Sequence, residues 1–227
     1  MSSPRILVFT RTTDYRHDSI PDGADAFRAL GDEHGFAVTA TEEPGELATA
    51  LADGCRAVVF LSTSGEVLTS DSRAALRAYV EGGGAFVGVH AATTTEYDWP
   101  WYGELVGARF ERHPDLQPGV AVVEDRDHPA TAHLDTVWPF TDEWYDFRAS
   151  PRGRVRVLLS ADESTYEGGG MGEDHPLAWC HENTGGRSFY TALGHTRESY
   201  SDPAFRRHLL GGLVWAARLA VRLPARP

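Results

Sequence analysis

Ten histidines are spread through the 227-residue chain, and four of them stand at places where proton or metal chemistry is natural. His17 lies in the polar loop Arg11–Ile20, His90 ends the apolar run Phe86-Val-Gly-Val89, His175 precedes a proline, and His195 follows Tyr190-Thr-Ala-Leu-Gly194. Imidazole exchanges protons near neutral pH and is the commonest metal ligand. The stretch Asp142-Glu143-Trp144-Tyr145-Asp146 sets carboxylates beside aromatic rings. A carboxyl buried against such walls has a raised pKa, which suits a general acid or base. We take His90, His195, Asp142 and Glu143 as candidate catalytic residues. Trp99, Trp101, Trp144 and Tyr145 offer flat faces of the kind that stack on sugar rings. With His17 and His175 they form the candidate substrate-binding set.

Plainer roles compete with each of these. A loop histidine also satisfies a backbone carbonyl, an acidic stretch is also an exposed loop, and tryptophans also fill cores. For His133 and His208 packing is the preferred reading, and for His34, beside Gly35, a helix C-cap. His113, His128 and His175 precede prolines, which pushes them to extended backbone at strand or loop edges. There is no HExxH, CxxC or calcium loop. A zinc or manganese site assembled in space from His90, His195 and His175 with a nearby carboxylate stays open, since spacing alone does not reveal one.

Composition excludes other classes. The chain has 33 acidic and 21 basic residues, a net charge of −12, so nucleic acid and anionic membrane would meet repulsion. Every basic residue is arginine, which rules out a lysine Schiff base and a P-loop. Gly168-Gly-Gly-Met-Gly172 has no dinucleotide fingerprint and reads as part of a mobile loop. Cys55 and Cys180 lack metal spacing and read as buried reduced thiols. An apolar strand begins by Ile6 and no run reaches membrane-span length, so the expectation is a soluble cytoplasmic protein without a signal peptide.

The elements that must position these groups alternate regularly over the first 92 residues. Strands are expected at Arg5–Thr10, Phe36–Ala40, Ala57–Leu61 and Phe86–Val89. Helices are expected from Pro21 to His34, over Glu46–Asp53 and over Asp71–Glu81. This β-α-β-α-β-α-β order implies parallel strands with right-handed crossovers. Loops beyond parallel strand ends share one rim, so His17 and His90 converge there, and His195 joins them if its own strand is parallel. A short helix through Val106 follows, then strands at Val120–Glu124 and Arg154–Leu159. A hairpin of Pro176–His181 and Arg187–Leu193 turns at Asn183–Gly186, and a helix runs from Pro203 to about Leu219. We expect one α/β domain over 1–227, with a long insertion between the fourth strand and the closing strands.

These pieces, taken in order, resemble the ThuA-like (trehalose utilisation) family. The resemblance rests on Tyr15-Arg-His-Asp-Ser-Ile20, Gly82-Gly-Gly-Ala-Phe-Val-Gly-Val-His-Ala91, Phe110-Glu-Arg-His-Pro114 and Asp127-His-Pro-Ala-Thr131. It continues through Asp142-Glu-Trp-Tyr145, Met171-Gly-Glu-Asp-His-Pro176, Gly186-Arg-Ser-Phe-Tyr190 and Gly194-His-Thr196 to the terminal helix. It implies a flavodoxin-like, class I glutamine amidotransferase-like three-layer sandwich, with a mostly parallel sheet and helices on both faces. In those enzymes the corresponding strand ends in a nucleophilic cysteine at a sharp elbow, Gly-x-Cys-x-Gly. Here Gly88-Val-His-Ala-Ala92 puts His90 at that position, so thioester chemistry on glutamine is not available.

The family is linked to breakdown of trehalose and related disaccharides in bacteria, alongside dehydrogenases that make 3-keto sugars. The resemblance therefore implies a carbohydrate-processing enzyme with a small sugar as partner, using histidine acid/base or metal chemistry. The alternative is a non-catalytic sugar-binding or scaffold protein on the same fold. Homo-oligomerisation stays open.

Overall fold

Apolar runs become the central strands because both of their faces are covered. The computed structural model describes residues 3–221. β1 (Arg5–Phe9), β2 (Ala37–Thr41), β3 (Ala57–Leu61) and β4 (Phe86–Val89) alternate with α1 (Ile20–His34), α2 (Pro44–Ala52) and α3 (Ser70–Glu81). Gly35 adopts φ 79° and closes α1 through its N–H to the Gly31 carbonyl, the expected glycine stop. Thr69 and Ser72 form a reciprocal capping box that starts α3.

The insertion contributes α4 (Pro100–Val106), β5 (Phe110–Arg112), β6 (Gln117–Val123), β7 (Val137–Asp142), β8 (Asp146–Phe147) and β9 (Arg156–Asp162). β10 (Pro176–His181), β11 (Ser188–Thr191) and α5 (Pro203–Ala217) close the chain. The large sheet has nine strands in the order β2-β1-β3-β4-β11-β10-β9-β6-β7. Strands β2 through β11 in that order run parallel, and the rest continue as an antiparallel meander. The protein is thus a mixed α/β fold on a large, mostly parallel sheet. The insertion is not a separate layer: it extends the same sheet, while β5 and β8 pair as a short ribbon.

Helices cover both faces. Leu61 meets α1 at Gly23, and Phe189 meets α5 at His208. On the other face, Phe60 and Phe86 pack on Tyr102 of α4, and the guanidiniums of Arg73 and Arg77 in α3 lie over Trp99 and Trp101. β7 was not expected from the sequence. Its Pro139 cannot donate to a ladder, which an edge strand tolerates and a central strand does not. Cys55 and Cys180 are buried free thiols. Among the described residues no helix is long and apolar enough to cross a membrane.

Candidate functional site

β4 delivers His90 into a backbone turn that few side chains accept. Val89 is extended, and His90 follows at φ 52°, opening a 3-10 turn over His90–Thr94. A non-glycine residue there costs about 1–2 kcal/mol. Tyr190 holds the turn by donating to the His90 carbonyl at 2.8 Å. Gly88 lies where an added Cβ would come within 3.3 Å of the Ala92 Cβ, so strand and turn approach closely. The sharp elbow is there, with a fully buried imidazole at its tip.

β11 is parallel to β4, so the loops carrying His17, His90 and His195 meet at one rim. The His17 and His90 Nε2 atoms are 3.1 Å apart. His90 Nδ1 lies 2.7 Å from the Ala192 carbonyl, which only accepts, so Nδ1 carries the ring proton. Tyr145 donates its hydroxyl to His90 Nε2 at 2.8 Å. One oxygen of Glu143 lies 3.1 Å from His195 Nδ1, 3.5 Å from His90 Nε2 and 3.6 Å from His113 Nε2. A cavity of about 310 Å³ opens above, lined by His17, His113, Glu143, Tyr145, Tyr15 and Ser64 among others. His90 sits beneath this lining, and the half-buried His195 is not part of it either but lies against Glu143, which is.

The charges follow from this packing. Burial, and then His90 and His195, lower the pKa of His17 to about 3, so it is neutral at physiological pH. Burial opposes ionisation of Glu143, but the neighbouring imidazoles of His195 and His90 outweigh it and hold the carboxyl below the usual range. Burial likewise disfavours charged His195, and Glu143 outweighs it, so its pKa is raised. Glu143 and His195 meet at 3.1 Å at the rim and form an ion pair whenever the imidazole is protonated.

Asp142 does not face the cavity. It is fully buried and accepts from the backbone N–H groups of Gly194 at 2.7 Å, Glu143 at 2.8 Å and His195 at 3.2 Å. Burial pushes its pKa up against these bonds. Counted from the sequence as a catalytic candidate, it is instead a clamp that sets Glu143 against His195. His175 lies in a separate group, its Nδ1 2.8 Å from Glu163 and its Nε2 donating to the Tyr145 carbonyl at 2.8 Å. It supports Tyr145 from behind and lines no part of the cavity. Glu163 also accepts from Met171 N and Gly172 N, so the loop expected to be mobile is tied across its ends.

The tryptophans are elsewhere too. Trp144 is fully buried, stacks on Tyr166 at 4.9 Å and donates to the Gln117 carbonyl. Trp99 and Trp101 lie on each other at 4.9 Å beneath α3. Ring faces committed to core partners have none left for a sugar. The aromatic wall of the cavity is Tyr145, with Phe110 packed 4.5 Å away and His113 stacked at 5.7 Å. His113 was not among the candidates, although it carries the same pre-proline signal as His175. His133 and His208 donate to the Ala204 and Ala130 carbonyls and serve packing.

Fold and site together define a mixed α/β protein with a histidine–carboxylate pocket beyond the ends of its parallel strands. Residues 5–216 match the family model described as ThuA, trehalose utilisation, and the chain belongs to that family. A ThuA-like protein from Bacteroides uniformis is similar in structure, with 25% identity, TM-score 0.79, and 95% of this chain and 93% of that chain covered. One from Parabacteroides merdae matches at 21% identity and TM-score 0.79 over 99% and 94% of the two chains. A beta-galactosidase from Bacillus circulans shares the fold at 14% identity and TM-score 0.62, over 94% of this chain but 31% of its own. Curated proteins gave no match.

Proposed function

We propose that this protein is a carbohydrate-processing enzyme acting on a keto derivative of a disaccharide or glycoside, with Glu143 and its ring of imidazoles as the reacting centre. The observation that carries this reading is one carboxylate at a cavity floor, within 3.6 Å of His90, His113 and His195. A low-pKa carboxylate is a weak base by itself. Paired with His195 it makes the imidazole the proton carrier, as a carboxylate does in a catalytic dyad. A sugar ketone acidifies the C–H beside it. In its neutral form His195 takes that proton and becomes the imidazolium that pairs with Glu143, the C–H electrons form a double bond to the anomeric carbon, and the glycosidic C–O bond breaks. The leaving oxygen is protonated by Tyr145 or His113. This is a β-elimination at neutral charge balance, and addition of water to the double bond completes the net hydrolysis. The family's link to trehalose supports the substrate class.

We also read the fold as the amidotransferase-like, flavodoxin-type sandwich without amidotransferase activity. Helices on both faces and the positive-φ elbow support the likeness. The elbow bears no thiol, and burial pushes the Cys180 thiol, distant in sequence, up to about 12. A cytoplasmic bacterial protein with a small sugar and no nucleic acid as partner completes the reading.

Incubation of the pure protein with 3-keto-trehalose in D2O tests it. The reading expects release of glucose and solvent exchange at the carbon beside the ketone. Neither release nor exchange, with sugar bound, would leave the protein a binder rather than an enzyme.

A further inference from the structure

We infer that His17, His90, Glu143 and His195 form a binding site for one divalent transition-metal ion of the zinc or manganese class. This goes beyond the reading above and rests on it only for the ion's part in turnover: with the ion bound, His195 is a ligand and no longer the free base. One ligand atom from each residue can be chosen so that all lie within 4.8 Å of one another. Metal–nitrogen bonds of about 2.1 Å place neighbouring ligands about 3.0 Å apart in an octahedron and about 3.4 Å apart in a tetrahedron. The His17–His90 Nε2 separation of 3.1 Å falls in that interval.

The protein's own hydrogen bonding leaves this arrangement incomplete. His90 Nε2 has a single lone pair, because Nδ1 holds the proton donated to Ala192. Yet it meets the Tyr145 hydroxyl at 2.8 Å, His17 Nε2 at 3.1 Å and Glu143 at 3.5 Å. On the other side of its ring, His17 Nδ1 is buried without a partner. A cation between the two rings would give both Nε2 lone pairs one acceptor and place a charge opposite Glu143.

The outer contacts are those that metal ligands use. The His90 Nδ1–H bond to a carbonyl fixes ring orientation, and Asp142 fixes the backbone of Glu143 and His195 together. Three imidazoles and one carboxylate suit a first-row transition metal and not calcium or magnesium, which take oxygen ligands. The neighbouring Asp146–Glu163–His175 group makes the contrast. There both ring nitrogens of His175 have protein partners, and Asp146 is paired with Arg112 at 2.7 Å, so no imidazole lone pair is left for a transition metal.

The test uses the full chain without an affinity tag, stripped with EDTA and titrated with Zn²⁺, Mn²⁺ and Co²⁺ by calorimetry, with visible absorption for Co²⁺. One equivalent should bind with Kd below about 1 µM for at least one ion. His17→Ala and the near-isosteric Glu143→Gln should each weaken it about 100-fold or more, whereas Glu163→Gln should not. Folding of each variant is checked by circular dichroism. Binding no tighter in the wild type than in folded Glu143→Gln overturns the inference, as does loss of binding in folded Glu163→Gln alone. Undiminished keto-sugar turnover by metal-free protein overturns the ion's part in turnover and leaves the proposed function standing. A tightly bound ion with no turnover does the reverse.

Discussion

Asp142→Asn is the substitution whose consequence the structure specifies most closely. The carboxylate is fully buried, with Oδ2 accepting from Gly194 N and Oδ1 from Glu143 N and His195 N. An amide has one acceptor oxygen and one NH2 group. Whichever way it turns, at least one backbone N–H faces a donor. Placing the NH2 at Gly194 leaves one N–H unpaired; the flipped amide leaves two. An unsatisfied buried donor costs about 1–3 kcal/mol, and losing a bond to a charged acceptor lies towards the upper end. Burial pushes the Asp142 pKa up, so removing the charge offsets part of that loss. The net expectation is about 2 kcal/mol, which for a urea slope of about 2–3 kcal/mol/M lowers the midpoint by nearly 1 M. Asp142→Ala, which strands all its donors, should cost about twice as much. Urea unfolding gives the stability, and amide exchange at Gly194 and His195 tests the location. An Asn variant within about 0.5 kcal/mol of wild type, with unchanged exchange at both amides, would refute the clamp.

Other expectations follow from packing and charge. Burial lowers His208 to about 3 and His128 to about 4, so both are neutral when folded and bind a proton when unfolded below 6.5. Their contribution is present above pH 6.5 and is lost as pH falls, at about 2 kcal/mol each by pH 5; urea midpoints across pH should show a shallower acid decline for His208→Gln. At Gly186 an added Cβ would lie 1.9 Å from the Gly84 carbonyl oxygen, whereas at Gly45 it would meet nothing within 4 Å. Gly186→Ala should therefore destabilise by about 2 kcal/mol or more, and Gly45→Ala, inside α2, should stabilise by about 0.5 kcal/mol. Trp99→Ala should lower the melting temperature through lost packing on Trp101 and Arg73, while KM for the keto sugar stays within about twofold.

Much of the fold was legible because apolar runs buried on both faces announce themselves. Ala57–Leu61, Phe86–Val89 and Pro176–His181 are strands at the expected bounds. The convergence of His17, His90 and His195 followed from strand direction alone, since it required only that β11 run parallel to β4. Contacts made through the insertion were not legible. β7 hides behind Pro139, and β5 and β8 are three and two residues long, too short to show a period. These elements bring in His113, Glu143 and Tyr145. Asp142 and Glu143 are adjacent in sequence with opposite surroundings, one clamping backbone and one facing the cavity, a difference fixed only by tertiary contacts. Trp144 and Trp99 look like ligand platforms in sequence and are committed to Tyr166 and Trp101 in the fold.

The central claim is that the Glu143–imidazole cluster is a reacting centre and not merely a binding surface. Single-turnover kinetics on 3-keto-trehalose, with affinity measured separately, compare wild type and Glu143→Gln most directly. We predict a rate at least about 100-fold lower in the variant, with Kd changed by less than about threefold. A variant that turns over at the wild-type rate, or one whose whole defect lies in Kd, would contradict it.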